Sequence, residues 1–293
     1  MARIAIVGPG AVGGVVAAWL DHTGRHEVIL CARRSLRELC VETPVGPLVS
    51  RPAVLTDPAR ATPVEWVLVC TKAYDAPGAA AWFGGLLTPR TQVAILQNGV
   101  EHRVRFAAYL PPDRLVPVMV DIPSERSAAG LVRQRGPGRL VAPDDAPGRA
   151  FVGLFAGIPL DVAVTADFLS TVWRKLCVNS VGILNALLLQ PAGVFRRDAV
   201  AEAARAIVRE CLAVGRAEGA VLDDAIPDTV VQGYANAPPD SVNSIHADRA
   251  ARRPMEVDAR NGVIVRLGRK HGIPTPCNQM AVALLEALVG AES

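Results

Sequence analysis

The first third of the chain alternates short apolar runs with helix-compatible stretches. Arg3 to Val7 (RIAIV) reads as a buried β-strand. A small-residue apolar helix continues from Val15 to Leu20. Further strands are predicted over 27–32, 64–70 and 91–96, the last ending at Gln97-Asn98-Gly99. Strands alternating with helices predict a parallel sheet covered on both faces. Shorter β-like runs at 115–120, 130–134 and 139–142, broken by Gly and Pro, predict a meander that closes this part. Beyond residue 163 the period changes. Helix patterns dominate at 166–189, 199–218, 225–236, 255–271 and 276–289, punctuated by Pro238-Pro239 and Pro274-Thr275-Pro276. The expected fold is α/β: an N-terminal Rossmann-type doubly wound parallel sheet over 1–164, then an all-α domain over 165–293. A cleft between the two is the expected ligand site.

Composition narrows the classes. Half of the 293 residues are apolar but only 4% are aromatic, so the core must be built from Ala, Val and Leu. The 31 basic and 28 acidic residues leave a net charge of +3, which gives no footprint for nucleic acid or an anionic membrane surface. No run of 18 uncharged apolar residues escapes Gly or Pro, so no membrane span is expected. Six cysteines without CxxC spacing read as reduced thiols in a cytoplasmic protein. The five histidines lack metal-ligand spacing, and no G-x-S-x-G is present, which argues against a metalloenzyme or a hydrolase. The expected partners are a small-molecule substrate and a second copy of the chain.

Gly8-Pro9-Gly10-Ala11-Val12-Gly13 fits G-x-G-x-x-G between a strand and a helix. In that pattern the first glycine makes the turn, the second admits a pyrophosphate to the backbone, and the third lets helix pack on strand. An NAD site usually places a carboxylate about 20 residues past the last glycine. Here that position is Arg33, followed by Arg34. A guanidinium binds a 2′-phosphate that a carboxylate would repel, so NADP(H) is the expected cofactor. Read alone, the two arginines also fit a solvated loop.

The chain has three lysines, Lys72, Lys175 and Lys270. Lys175 stands out because it lies within a largely apolar helical stretch. Burial can lower a lysine's pKa toward neutrality, whereas arginine stays charged and is a poor proton donor. Lys175 and Asn179 share a helix face. Taken singly, Lys175 fits a snorkelling surface lysine, Glu256 a solvated helix-start carboxylate, Ser244 a helix N-cap, and Asn98 a turn residue.

Together with the glycine loop, Thr71-Lys72-Ala73, Gln97-Asn98-Gly99, W-R-K-L-C-V-N at 173–179, N-S-I-H-A-D at 243–248 and M-E-V-D-A-R-N-G at 255–262 resemble the ketopantoate reductase family. The resemblance runs from Arg3 to about Cys277. It implies reduction of 2-dehydropantoate by NADPH. Lys175 matches the family's proton-donating lysine, and Glu256 matches the glutamate that holds substrate and lysine. Lys72 and Asn98 match cofactor contacts; Asn98, Asn179 and Ser244 match substrate contacts. Ser241 stands at a substrate-facing position where the family often has Asn. Ile183 stands where a second Asn is frequent, and helix geometry turns nearby Asn185 away. These departures predict weak 2-dehydropantoate activity, or another, less polar 2-oxo acid as substrate. A reductase of another branched or aromatic 2-oxo acid and a non-catalytic NADP(H)-binding regulator stay open as alternatives.

Overall fold

The computed structural model describes residues 1–291. Contacts divide the chain into two compact units: residues 1–97 with 101–168, and residues 98–100 with 169 onward.

The first unit is built on six parallel strands. In chain order the strands are β1 (Arg3–Val7), β2 (Glu27–Cys31), β3 (Leu39–Thr43), β4 (Gly46–Ser50), β5 (Ala53–Leu55), β6 (Trp66–Val69), β7 (Gln92–Ile95), β8 (Leu115–Pro117), β9 (Met119–Asp121), β10 (Ser124–Ala128), β11 (Leu131–Gln134), β12 (Arg139–Pro143) and β13 (Asp161–Thr165). The main sheet runs β5-β2-β1-β6-β7-β8, a doubly wound order whose switch point lies between β1 and β6. Central strands in such a sheet are buried on both faces and read as unbroken apolar runs. β1 obeys this: Ile4 and Ile6 enter one core cluster, Ala5 and Val7 another. Helix α1 (Ala11–His22) joins the first cluster. The short α2 (Ala76–Ala80), α3 (Phe83–Leu86) and α4 (His102–Phe106) supply the second.

The segments expected to form a meander do something else. β8 extends the main sheet, β9 and β13 flank β12, and β10-β11 pair with a β3-β4 hairpin that the sequence reading left unassigned. That four-stranded sheet packs on α1, where Trp19 donates to Gln134 Oε1 at 3.1 Å. The small helix α5 (Ala146–Leu154) completes the unit.

The second unit is helical: α6 (Phe168–Leu188), α7 (Asp198–Ala217), α8 (Ile226–Asn236), α9 (Ser244–Ala250), α10 (Val263–His271) and α11 (Pro276–Ala291). Among the described residues no strand follows Thr165. α7 buries Ala201, Ala204, Ile207, Val208, Cys211 and Leu212 at helical spacing, a wide apolar stripe. Its Glu210 reaches the start of α11, accepting from the Cys277 and Asn278 amides at 2.8 and 2.9 Å. A carboxylate there satisfies orphan donors and suits the helix dipole. The helix expected over 255–271 is not uniform. Asp258–Gly262 forms a π-turn before α10 begins. No described helix is long and apolar enough to cross a membrane.

Candidate active site

The glycine loop lies between β1 and α1 as expected. Gly8 has φ +90, and an added Cβ would sit 2.7 Å from Thr71 Cγ2. At Gly13 a Cβ would meet the Gly8 carbonyl at 2.3 Å, so strand and helix are in contact there. At Gly10 the nearest atom to an added Cβ is 3.9 Å away, so that glycine borders open space. No side chain caps the start of α1, and its first turn, which includes Ala11 and Val12, has no acidic residue. The first-turn backbone donors beside Pro9 and Gly10 therefore have no side-chain acceptor and no carboxylate in the same turn, which suits a pyrophosphate. Arg33 and Arg34 follow β2 and are exposed; neither pairs with a carboxylate among the described residues. This donor set fits a dinucleotide that carries a further phosphate.

Lys72 precedes a 3-10 turn (Ala73–Asp75) beyond β6 and is half-buried. Gln97, absent from the sequence-based assignments, fixes this region. Its amide donates to Thr71 Oγ1 at 3.0 Å and to the Lys72 carbonyl at 3.3 Å. Its own carbonyl accepts from His102 Nε2 at 2.9 Å. His102 is buried, and burial pushes its pKa down to about 4; nearby Arg105 and Arg103 also lower it, against the opposing Gln97 bond. A buried polar group at a strand end was the available signal, but Q-N-G reads first as a turn.

In the helical unit, Asn98 gathers the predicted residues. Its amide donates to Glu256 Oε2 at 3.2 Å, and its Oδ1 accepts from Asn179 Nδ2 at 3.3 Å. Glu256 is 6% exposed and precedes the helix, so the solvated helix-start reading fails. Lys175 is half-buried on α6, one turn before Asn179. Ser244 opens α9, but the N-cap is Asn243, whose side chain accepts from the His246 amide at 3.0 Å. Ser244 instead accepts from Arg260 Nη2 at 2.9 Å.

Ile183 is fully buried and packs with Ala186, Ile207, Ile245, Ala281 and Leu285, so this position serves the helical core. Asn185 is not idle: buried, it accepts from Asn243 Nδ2 at 2.7 Å and donates to the Gln190 carbonyl at 2.8 Å. Ser241 lies on the loop before α9, where its backbone bonds to Ala192 and Pro238.

Arg260 and Asn261 were also missed, although both lie inside the quoted M-E-V-D-A-R-N-G. Asn261 is fully buried and donates to the Ser180 carbonyl at 3.0 Å and to Asn278 Oδ1 at 2.9 Å. It ties the π-turn to α6 and α11. The available signal was a polar pair in an otherwise helical apolar period.

Comparison with known proteins places this geometry. The family described as ketopantoate reductase PanE/ApbA matches residues 4–146, and its C-terminal counterpart matches residues 167–289. A 2-dehydropantoate 2-reductase of Caulobacter vibrioides is 52% identical over 287 residues, covering 98% of this chain and 99% of that protein. One from Mycobacterium tuberculosis is 42% identical, covering 97% of each. The crystal structure of a PanE/ApbA family ketopantoate reductase from Ralstonia eutropha superposes with a TM-score of 0.89 at 31% identity, covering 99% of each chain. With both halves matched and the relatives aligned end to end, this chain belongs to the ketopantoate reductase family.

Proposed function

We propose that this chain reduces the keto group of 2-dehydropantoate to a hydroxyl, with NADPH as the reductant. The observation that carries the reading is the polar chain Asn179–Asn98–Glu256, with Lys175 one turn before Asn179 on α6. Full-length identity to 2-dehydropantoate 2-reductases supports the substrate.

When bound, NADPH supplies hydride. Gly8, Gly10 and Gly13 with the α1 amides hold its pyrophosphate, and Arg33 holds its 2′-phosphate, assisted by Arg34. Lys72 and Asn98 line its path. Lys175 gives a proton to the carbonyl oxygen, where negative charge develops during reduction. Glu256 orients Lys175 and the substrate, and Asn98 fixes Glu256 in turn. Asn179 and Ser244 donate to substrate oxygens. Under this assignment residues 1–164 bind the cofactor and residues 165–293, together with Asn98, bind the substrate.

The test is loss of NADPH absorbance with a panel of 2-oxo acids. Preferred turnover of 2-dehydropantoate supports the reading. Turnover of only other 2-oxo acids would replace the substrate, and tight NADPH binding without turnover would make the chain a regulator.

A further inference from the structure

Arg260 is 4% exposed. Its Nη2 donates to Ser244 Oγ at 2.9 Å and its Nη1 to the Asn179 carbonyl at 3.4 Å, while its Nε has no partner. No carboxylate among the described residues pairs with it. Gly182, Asn243 and Tyr234, which lie near it, carry no charged side chain. An added Cβ at Gly182 would lie 3.2 Å from Nη1 and 3.0 Å from Asn243 Nδ2, so the glycine makes room for both groups. Tyr234 is near enough that the guanidinium opposes the upward pull of burial on its phenol. A guanidinium stays protonated, and buried charges are ordinarily paired. What this one lacks is an anion.

The position of Arg260 says which anion. Arg260 bonds to the backbone of Asn179, whose side chain continues to Asn98 and Glu256. Its other contact, Ser244, is exposed. In a 2-oxo acid the carboxylate is bonded directly to the keto carbon. An anchor for that carboxylate must therefore adjoin the groups that handle the carbonyl. The planar fork of arginine matches a carboxylate bidentately. Resting on the reduction proposed above, we propose that Arg260, aided by the Ser244 hydroxyl, binds the substrate's carboxylate and selects acids over neutral ketones.

The experiment compares 2-dehydropantoate with its methyl ester, which keeps the keto group and loses the charge. The wild-type chain should prefer the acid. Arg260→Met should lower kcat/KM for the acid by about 10- to 100-fold, mainly through KM, with little change for the ester. Arg260→Lys keeps the charge without the fork and should lose roughly 10-fold on the acid alone. It carries the same comparison should the Met variant not fold. Equal losses on acid and ester, or no loss on the acid, would overturn the inference while leaving the reduction intact. A wild-type chain that does not reduce the acid would defeat the proposed function first.

Discussion

The Glu256 carboxylate fixes which way the Asn98 amide points. The Asn98 NH₂ donates to Glu256 Oε2 at 3.2 Å. Asn98 Oδ1 is then left as an acceptor, and Asn179 must turn its own NH₂ toward it, 3.3 Å away. One buried carboxyl group thereby orients two amides on separate segments. Glu256→Ala should leave the Asn98 amide without its acceptor and lower kcat/KM by about 10- to 100-fold. Glu256→Gln, which preserves an acceptor, should lose less. In a double-mutant cycle with Asn98→Ala, a coupling of about 0.5–3 kcal/mol is expected. Additive losses would show that the two residues act separately.

Under the proposed mechanism, Lys175 on α6 gives the proton. General acid catalysis typically contributes about 10²–10⁴-fold, so Lys175→Ala should lower turnover by roughly that factor. NADPH binding, measured by fluorescence titration, should stay close to wild type, because the proposed phosphate contacts are the glycine loop and Arg33. Lys175→Arg should rescue little, since arginine is a reluctant donor. Wild-type turnover in the alanine variant at saturating substrate would remove Lys175 from the mechanism.

Under the proposed function, Arg33 sets the preference for NADPH over NADH. It is exposed after β2 with no carboxylate to hold it. Arg33→Ala should raise KM for NADPH far more than for NADH. The lost charge-assisted contact is worth about 1.5–3 kcal/mol, which corresponds to roughly 10- to 100-fold. Equal effects on both cofactors would reassign the residue to the solvated loop.

His102 makes stability depend on pH. Its folded pKa is pushed down to about 4, chiefly by burial, from an ordinary 6.5. The unfolded chain therefore takes up this proton first as pH falls. The contribution is fully present above about pH 6.5 and is lost progressively toward pH 4. The total is on the order of 3 kcal/mol. His102→Gln keeps a donor for the Gln97 carbonyl but does not titrate. Urea midpoints measured across this window should fall more steeply in wild type than in the variant, and parallel curves would contradict the assignment.

The parts of the fold legible in the sequence were those with a strong period. β1, β2, β6 and β7 are short apolar runs buried on both faces, and α6, α7 and α8 have wide apolar stripes. The hairpin β3-β4 was not legible. Its burial alternates, with polar Glu42 and Thr43 interleaved, and its pairing with β11 joins residues some ninety positions apart. The candidate site was legible where a rare residue type marks a helix face, as at Lys175. It was not legible where a common residue becomes special through burial. Gln97, Arg260 and Asn261 are of that kind. Ile183 shows the converse: a position read for its polarity turned out to be decided by packing.

The π-turn at Asp258–Gly262 closes on a bond from the Val263 amide to the Asp258 carbonyl, five residues back. Regular α-helix would close the same turn with one residue fewer. The segment therefore carries a surplus residue, and everything before it is rotated by about 100° relative to α10. That rotation is an offset in phase between two parts of one rod. Deleting Ala259 would bring the rod back into phase, a change that favours the helix as a helix. It would also swing the residues ahead of the turn, Glu256 among them, away from their partners. Across the family, single-residue length changes in this stretch should thus be far rarer than substitutions, because a substitution alters one side chain and a deletion alters the bearing of all of them.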